Sequence, residues 1–551
     1  MSRFTTASRR QFLLGGAALG ATGFLAACGG GNGGTGAGPT DGGGNEPSGW
    51  DWPAYQAFTG PQPDLPGTQD GVNAGFLAYP ALADLVDTVS EAPGDGQPVT
   101  AMTPNYNRQP LDMDRNPFWQ GLNERLGSVL DVRMVPGADY SNVFATTVAS
   151  GEMPDLFTLY ASPRLPEFLQ SQALDLTDHL AGDAILAYPN LAAIPTSAWQ
   201  YSVFGGRIYT IPLFRGLRTS WALIQRSDLM EQMGLNPEPQ SFEELLEVAK
   251  EFTDPSQNRW AFSDFPADFL RQTLGIPNGW GLEGDTITSA LTDERQMDFF
   301  EAGLRLMEAG VVHPEAFDDS GRKSRLSEGQ ALFAQDGLGG WNAFYSTATN
   351  NFPEIAETFD IDGTKMFDFA DGYTGRPWRA ADVLEQCVVG ASAESRIEAV
   401  LGVANWLAAP IGSTEKLYQT YGVEGEQFEM VDGAPKRTEA GGDQWLNLQL
   451  LVSAPFAVED ALHPHAVERL HAFQTYLAEN AIRSAADGLY SETLVSDGGV
   501  AETTFKDLTN DIVQGRRSVD EWTREVDDFM LSTGQQIIDE LTQAREEAAD
   551  A

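Results

Sequence analysis

Histidines are among the side chains of this sequence that could bind a metal ion. His463, His465 and His471 lie close together in HPHAVERLH. Pro464 stands between the first two and opposes their regular pairing on one helix. We therefore expect histidines exposed at the start of a helix rather than a zinc site.

A second metal-like pattern lies in DPSQNRWAFSDF. Asp254, Ser256 and Asn258 occupy alternate positions, as ligands do at the start of a calcium loop. However, Arg259 replaces the glycine that such a loop needs, and Phe265 stands where the bidentate glutamate belongs. The sequence therefore predicts no metal and no other cofactor.

Catalytic motifs give no clear signal in this chain. The sequence contains no G-x-S-x-G, no H-E-x-x-H, no P-loop and no glycine-rich dinucleotide fingerprint. A glycosidase needs only two carboxylates, and with 79 acidic residues a pair can always be nominated. We predict a protein that is not an enzyme, and a secreted glycosidase or other carbohydrate-active enzyme is the alternative.

The cysteine with the clearest predicted chemistry lies near the amino terminus. Arg9 and Arg10 precede a short apolar run over 12–25, and Cys28 ends the sequence LAAC. A membrane span needs about 20 apolar residues, so this run is typical of an export signal. SRRQFL resembles a twin-arginine signal, and LAAC resembles a bacterial lipobox whose cysteine becomes lipid-modified. We predict a signal peptide over 1–27 and a lipid on Cys28; the alternative is a plain secretory signal with an unrelated cysteine.

Composition divides the remaining chain. Residues 28–49 are mostly glycine and small polar residues, which predicts a flexible tether. Residues 50–97 are rich in proline and glycine but contain aromatic residues, so we expect an extension that packs partly on the body. The length beyond this point exceeds one typical core and predicts two lobes.

The formal net charge of −45 excludes several partners. Nucleic acid binding needs a basic face, and direct adhesion to anionic lipid needs positive charge. We therefore expect contact with the membrane through the lipid anchor only. After lipidation Cys387 is the remaining cysteine, so no disulfide forms within one chain.

From residue 98 onward, β-rich and helical segments alternate. Phe118, Leu122 and Leu126 share one helical face, and the helix is predicted to end at Gly127. In SFEELLEVAKEF, Ser241 and Glu244 have the spacing of a capping box. Strands separated by helices predict βαβ units, a parallel sheet and the α/β fold class.

The order of these segments resembles the bacterial extracellular solute-binding proteins of family 1, which include maltose-binding protein. The strand, the helix ending in ASGEMPD and the segment QALDLTDHL resemble the first lobe of that family. GGRIYTIPLF and the segments after it resemble the crossing into the second lobe. EGQALFAQDGLGGW resembles a strand that ends in a ligand-facing tryptophan, and VVGASAESRIEAVLGVANWLAAP resembles the return to the first lobe.

This resemblance implies a two-lobe periplasmic-binding-protein fold of type II, with an interlobe cleft and a hinge. The implied first lobe spans 98–212 and about 383–412, and the second spans 213–382 and 413–551. The implied function is capture of a small ligand, for which a sugar or oligosaccharide is the expected class, by a monomer on the outer face of the bacterial membrane. The implied partners are the permease subunits of an ABC importer. Peptides or other polar metabolites are alternative ligands, and a structural or adhesion lipoprotein is an alternative class.

Candidate ligand-binding residues follow from the resemblance and from the chemistry of sugars. Sugars expose apolar faces and hydroxyl edges, which suit aromatic rings and planar polar groups. In α/β lobes such groups lie in loops after strands. The alternatives are a solvated loop for Tyr106 and Arg108, a hinge ion pair for Arg215 and core packing for the other aromatic residues. The predicted site residues are Tyr106, Arg108, Tyr160, Arg215, Trp280, Trp341, Asn342 and Trp378.

Overall fold

The structure is a computed structural model that describes residues 50–160, 164–219, 221–318, 321–431 and 433–550. The predicted signal peptide, Cys28 and the predicted tether therefore lie outside the described residues. In the part that is described, no helix is long and apolar enough to cross a bilayer.

Strands and helices alternate along most of the described chain. The strands are β1 (Ala74–Phe76), β2 (Val99–Asn105), β3 (Leu130–Pro136), β4 (Leu156–Thr158), β5 (Val203–Phe204), β6 (Arg207–Ile208), β7 (Thr210–Phe214), β8 (Ala222–Gln225), β9 (Trp260–Phe262), β10 (Trp280–Glu283), β11 (Thr286–Ser289), β12 (Ala331–Asp336), β13 (Asp362–Gly363), β14 (Trp378–Arg379), β15 (Val383–Val389), β16 (Phe428–Val431), β17 (Ala434–Arg437), β18 (Ala457–Glu459) and β19 (Ile482–Arg483). The α-helices are α1 (Pro117–Leu126), α2 (Tyr140–Ser150), α3 (Leu165–Gln172), α4 (Thr177–Leu180), α5 (Thr196–Trp199), α6 (Ser227–Met233), α7 (Phe242–Phe252), α8 (Ala267–Thr273), α9 (Gln296–Glu308), α10 (Arg322–Ser327), α11 (Trp341–Asn351), α12 (Ile397–Leu407), α13 (Thr414–Tyr421), α14 (Glu439–Gln444), α15 (Pro464–Asn480), α16 (Glu492–Val513), α17 (Asp520–Phe529) and α18 (Gln535–Asp550).

Local sequence signals explain several of these boundaries. Gly127 ends α1 in the left-handed conformation with φ of 65°, which confirms the predicted stop. Ser241 caps α7, because its hydroxyl accepts a hydrogen bond from the backbone N–H of Glu244 at 3.3 Å. The return bond of the predicted capping box differs, since the Glu244 carboxylate accepts from the backbone N–H of Gln240 at 2.9 Å.

The first lobe is built on a five-stranded sheet with the order β3-β2-β4-β15-β7. β2 is parallel to β3 and β4, whereas β15 is antiparallel to both β4 and β7. The predicted parallel sheet is therefore interrupted by one antiparallel strand, which arrives from the other lobe. α1 and α12 contribute to the core on one face, and α2 and α3 contribute to the core on the other.

The second lobe is built on a four-stranded sheet with the order β13-β8-β12-β9. β9 is parallel to β12, whereas β8 is antiparallel to it. One large core joins this sheet to α7, α9 and α16. Another core joins it to α11 and α15. Two α/β lobes of this kind form the type II periplasmic-binding fold.

The chain passes between the two lobes three times. The first crossing joins the end of β7 at Phe214 to the start of β8 at Ala222. The second joins β14 to the start of β15 at Val383. The third leads from Val452 in the first core to Val458 in a core of the second lobe. These segments lie close together, since Arg218 in the first forms a β-bridge with Ala380 in the second.

Residues 50–97 pack on both lobes. Trp50 and Trp52 lie against the first core, whereas Leu65 lies against a core of the second lobe. β1 pairs in parallel with β18, directly after the third crossing. The extension is therefore part of the folded body beside the crossings.

The second half of the chain returns to the first lobe for longer than the sequence suggests. The sequence places all residues after 412 in the second lobe. Tyr418, Leu446, Leu451 and Val452 instead lie in the first core, because α13 and the segment after α14 pack on α1 and its neighbours. This corrects the lobe boundary, which lies between Val452 and Val458.

Candidate ligand-binding site

Three strands of the first sheet end at one edge, and each is followed by an aromatic or polar side chain. β4 and β7 run in the same direction because both are antiparallel to β15, and β2 is parallel to β4. Tyr106 directly follows β2, and Arg215 directly follows β7. Tyr160 lies two residues beyond the end of β4. The structure therefore brings these three predicted residues to one edge, where ligands bind in open α/β sheets.

The two tyrosines at this edge are held differently. Tyr106 is 68% exposed, and its ring lies over Gly137, where an added Cβ would come within 2.1 Å of a ring atom. Tyr160 is half-buried, with its ring centroid 6.3 Å from that of Tyr140. Partial burial, followed by the charges of Glu385 and Tyr160, raises the pKa of Tyr106. Tyr106 thus offers an accessible ring, whereas Tyr160 is supported by the core.

Arg215, Arg218 and Glu385 form a charged cluster at the crossings. Burial raises the pKa of Glu385 to about 7, although both arginines act to lower it. Burial also lowers the pKa of Arg215 to about 10 and lowers the pKa of Arg218.

Within the described residues, neither arginine of this cluster forms an ion pair with Glu385. Arg215 donates instead to the carbonyl oxygen of Gln449 at 2.8 Å, and Arg218 donates to that of Ala381 at 3.2 Å. Charged groups that are near each other without contact leave hydrogen-bonding capacity for a ligand.

Arg108 lies further out than the other predicted residues of the first lobe. Its side chain is 76% exposed and forms an ion pair with Asp443. An exposed ion pair of this kind contributes only about 0–1 kcal/mol, so it does not prevent the guanidinium from changing partner. Its contact with a ligand stays a prediction.

The second sheet presents an edge formed by the end of β12 and the start of β8. Asp336, the last residue of β12, pairs with Ala222, the first residue of β8. Trp221 directly precedes this pair and is half-buried, with the guanidinium carbon of Arg322 4.7 Å from its ring centroid. Asp336 also lies 3.0 Å from Lys323 Nζ. Because the first crossing is short, this edge adjoins the strand ends of the first lobe.

Asn342 belongs to the same edge of the second lobe. It lies in the first turn of α11, which follows β12 after a glycine-rich loop. Its Oδ1 is buried and has no hydrogen-bond partner within the described chain. Leaving a buried acceptor unpaired costs roughly 1–3 kcal/mol, and a ligand donor would remove that cost. Asn342 therefore stays a proposed site residue.

A small cavity of about 10 Å³ lies beside the crossings on the second lobe. Its wall includes Thr219 and Trp221 from the first crossing and Pro377 from the approach to the second. Apolar side chains such as Phe269 and Phe473 form much of the remainder. Trp221 therefore borders a void as well as the charged groups of Arg322 and Asp336.

Trp341 is not available to a ligand in this structure. Its side chain is fully buried, and its ring stacks on Phe473 of α15 with centroids 6.3 Å apart. The prediction that Trp341 is a stacking platform is therefore wrong, because α15 covers the ring that the preceding glycines were expected to leave open.

Trp280 and Trp378 are also core residues rather than ligand platforms. Each is only 7% exposed. Trp280 packs with Ile537 and Leu541 of α18. Trp378 donates its indole N–H to the carbonyl oxygen of Ile276 at 2.9 Å. Both predictions are corrected, because the carboxyl-terminal helices and the segment after α8 cover these rings.

The histidines and the calcium-like loop are engaged in protein contacts. His463 is less exposed than predicted and lies between Asp460, with Nδ1 3.1 Å from Oδ1, and Thr349, with Nε2 2.9 Å from Oγ1. Asp254 accepts hydrogen bonds from the backbone N–H and hydroxyl of Ser256 at 3.0 and 2.7 Å. Over the described ranges, no three His, Cys, Asp or Glu side chains are placed to hold a metal ion.

Two residues of the charged and aromatic edges were missed by sequence reasoning. Glu385 lies near the start of β15, and Trp221 directly precedes β8. Site residues were expected in the loops after strands, but β15 and β8 are antiparallel to their neighbours, so their starts lie at the ligand edge. The signal that could have found them is polar or aromatic character at the start of a strand that follows a crossing.

The family model described as bacterial extracellular solute-binding protein matches residues 127–412, which is more than half of the chain. The chain therefore belongs to the bacterial extracellular solute-binding proteins. The match includes the first and second crossings and both large sheets, apart from β2 at its amino-terminal side.

Two individual relatives share less than a quarter of their aligned residues with this chain. Lipoprotein LipO of Bacillus subtilis strain 168 is 24% identical over 261 residues, which cover 44% of this chain and 51% of LipO. The match thus spans about half the length of LipO. The polygalacturonan/rhamnogalacturonan-binding protein YtcQ of the same organism is 22% identical over 469 residues, which cover 80% of this chain and 90% of YtcQ.

Solved structures share the fold over most of the chain. An HMO-binding, ABC-transporter-associated solute-binding protein from Bifidobacterium longum infantis superposes with a TM-score of 0.60 at 15% identity. The superposition covers 83% of this chain and 99% of that protein. At this identity the likeness establishes the two-lobe fold.

Proposed function

We propose that this protein is an extracellular receptor that captures an oligosaccharide between its lobes and delivers it to an ABC importer. The observation that carries the proposal is the pair of adjoining sheet edges at the crossings. One edge offers the accessible ring of Tyr106 and the unpaired charges of Arg215 and Glu385, and the other offers Trp221 beside Arg322. Aromatic faces and planar polar groups suit the apolar faces and hydroxyls of a sugar.

The names of the similar proteins support a saccharide rather than a peptide. YtcQ is named for binding polygalacturonan and rhamnogalacturonan, and the Bifidobacterium protein is described as HMO-binding. YtcQ and the Bifidobacterium protein are named as binding proteins, so we propose that this chain releases its ligand unchanged. A monomer is proposed, because a single chain supplies both edges.

Lobe closure would couple binding to transport. A ligand that touches both edges stabilises the closed arrangement relative to the open one, and only this difference in affinity shifts the equilibrium. The crossings supply the hinge for such a motion. Ligand at about 100 times Kd would add about 2.7 kcal/mol to the free energy of unfolding.

A thermal-shift screen of the full-length protein tests this proposal. Mono-, di- and oligosaccharides are compared with peptides and polyols, and the sugars are recovered for product analysis. A saturable rise in Tm for one sugar series without product supports the receptor. A rise accompanied by hydrolysis would identify a carbohydrate-active enzyme, and a rise with peptides alone would remove the sugar assignment.

Anchoring through Cys28 is proposed from the lipobox and from the similarity to Lipoprotein LipO. Cys28→Ala should release the exported protein from the membrane fraction into the medium. Cys387→Ala is the matched control, because Cys387 is fully buried in β15 and should not affect anchoring. Retention of Cys28→Ala in membranes would refute the anchor.

A further inference from the structure

The amino terminus of α3 in the first lobe receives hydrogen-bond partners from the second lobe. The backbone N–H of Arg164, which directly precedes α3, donates to the Glu492 carboxylate at 2.7 Å. The backbone N–H of Leu165 donates to the hydroxyl of Tyr490 at 3.3 Å. The first N–H groups of a helix have no partner within it, and Arg164 supplies no side-chain cap. Two side chains of the second lobe therefore take the place of a local cap.

The second lobe holds these two side chains firmly. The hydroxyl of Tyr490 donates to the Glu492 carboxylate, which joins the two groups to each other. On either side of Glu492, the hydroxyls of Ser491 and Thr493 donate to the Glu540 carboxylate of α18 at 2.6 and 2.7 Å. The helix that follows, α16, packs in the large core of the second lobe. A movement of the second lobe would therefore carry both groups with it.

The Glu492 carboxylate lies at the amino termini of two helices. It belongs to the first turn of α16 and accepts a hydrogen bond at the start of α3. The amino terminus of a helix carries a partial positive charge and favours anions. A charged acceptor also makes stronger hydrogen bonds than a neutral one. If the lobes moved apart, the carboxylate would keep α16 and lose α3, so its charge favours the joined arrangement.

The backbone of Arg164 has an unusual conformation at this contact. Its φ is 56°, and in the described chain Asn258 is the other non-glycine residue with a positive φ. Such a conformation is uncommon outside glycine and persists where surrounding contacts determine it. The hydrogen bond to Glu492 is one such contact. The start of α3 is therefore shaped in part by a side chain of the other lobe.

The contact lies beside the proposed ligand edge, at the end of a segment that starts at the crossings. Arg483 Nη2 lies 2.7 Å from Oδ2 of Asp382, which is in the second crossing. Seven residues later, Tyr490 packs against the same first-lobe core as Tyr160 of the proposed site. Residues 483–492 thus follow the boundary between the lobes from the crossings to the ligand edge.

We propose that Glu492 and Tyr490 form a latch that holds the two lobes together at the start of α3 before a ligand binds. These contacts exist only while the lobes adjoin, so they stabilise the closed arrangement relative to the open one. The inference goes beyond the proposed function, because it concerns the ligand-free protein. Its consequence for binding is a higher apparent affinity, since the apparent Kd is the intrinsic Kd divided by the fraction of closed molecules.

Pulsed electron spin resonance on the ligand-free, full-length chain tests the latch. Spin labels are placed at Asp131→Cys in the first lobe and Glu247→Cys in the second, because both positions are exposed. The parent protein carries Cys28→Ala, and Cys387 is fully buried and stays unlabelled. We expect the parent to show mainly the label separation of the closed arrangement.

Two latch variants and one control are compared with the parent. Glu492→Ala should raise the ratio of open to closed molecules about tenfold or more, because a hydrogen bond to a charged group is lost. Tyr490→Phe removes one hydroxyl, so the ratio should rise by a smaller factor. Glu439→Ala is the control, because Glu439 is an exposed residue in the first turn of α14. Circular dichroism establishes that each variant is folded.

The outcomes are distinct from those of the saccharide screen. Distance distributions in folded Glu492→Ala and Tyr490→Phe that equal that of the parent would overturn the latch. A parent that is already mainly open would overturn it as well. If Glu492→Ala does not fold, Tyr490→Phe alone decides. No ligand enters this measurement, so failure of every saccharide would refute the receptor without affecting the result for the latch.

Discussion

Trp221 and Trp260 lie at opposite ends of the strands of one sheet in the second lobe. Trp221 precedes Ala222, which pairs with Asp336 at the end of β12, whereas Trp260 pairs with Ala331 at its start. Both tryptophans are half-buried. The main difference between them is therefore that Trp221 lies at the crossings and Trp260 does not.

This relationship gives a matched test of the ligand edge. Trp221→Ala should weaken binding of the best sugar from the screen by about tenfold or more, because a stacked ring contributes about 0.5–1.5 kcal/mol beyond its buried area. Trp260→Ala should leave the affinity unchanged. Both are measured by calorimetric titration, and equal affinities in the two variants would exclude Trp221 from the site.

Trp341 should matter for stability rather than for binding. Its fully buried ring stacks on Phe473, so Trp341→Ala should lower the free energy of unfolding by about 3–5 kcal/mol. Trp341→Phe keeps an aromatic ring and should fold well enough for titration, with ligand affinity unchanged. Denaturant unfolding measures the first effect. A clear loss of affinity in stable Trp341→Phe would restore the ring to the site.

Local signals explain why much of the fold could be predicted. Gly127 stops a helix because of its own conformational freedom, and the Ser241 hydroxyl caps another because it accepts a hydrogen bond from a backbone N–H three residues ahead. Both effects depend on neighbours in sequence, so they can be read without the tertiary structure. The same holds for the alternation of strands and helices, which gave the α/β class.

The errors at the site arose from contacts distant in sequence. Nothing near Trp341 indicates that Phe473 of α15 covers it, and nothing near Trp280 indicates packing against α18. Glu385 and Trp221 were missed because strand direction depends on the crossings. Tyr106, Tyr160 and Arg215 were brought to one edge because they follow strands that run in the same direction.

The titration of two buried carboxyls, Glu385 and Asp264, should make the free energy of unfolding depend on pH. Burial raises the pKa of each to about 7 in the folded protein, whereas the pKa of a carboxyl in the unfolded chain is about 4. For such groups the stabilisation is complete below the unfolded pKa and is lost as pH rises through the folded pKa. The free energy of unfolding should therefore fall between about pH 4 and pH 7 from this contribution.

Neutral variants separate this effect from other titrations. Glu385→Gln and Asp264→Asn should each reduce the fall in Tm between pH 5 and pH 7.5, measured in buffers of equal ionic strength. Glu429→Gln is the control, because Glu429 is exposed on the β16–β17 hairpin. An unchanged pH dependence in Glu385→Gln would contradict the raised pKa of that carboxyl.

The side chain of Asn73 links the amino-terminal extension to the crossings through hydrogen bonds. Its side-chain amide donates to the carbonyl oxygens of Arg215 at 3.0 Å and Phe456 at 2.9 Å, which belong to the first and third crossings. Gln474 of α15 donates to its Oδ1 at 2.6 Å. Asn73 is only 4% exposed, so these bonds are made away from water.

Asn73→Ala should therefore lower the free energy of unfolding by about 1–3 kcal/mol or more, because it leaves several buried polar groups without partners. Gln62→Ala is the control in the same extension, since Gln62 makes only an exposed local bond to Gly60. Urea unfolding measures both variants. A double-mutant cycle of Asn73→Ala with Gln474→Ala should show coupling, and additive effects would mean that the two amides do not act together at the hinge.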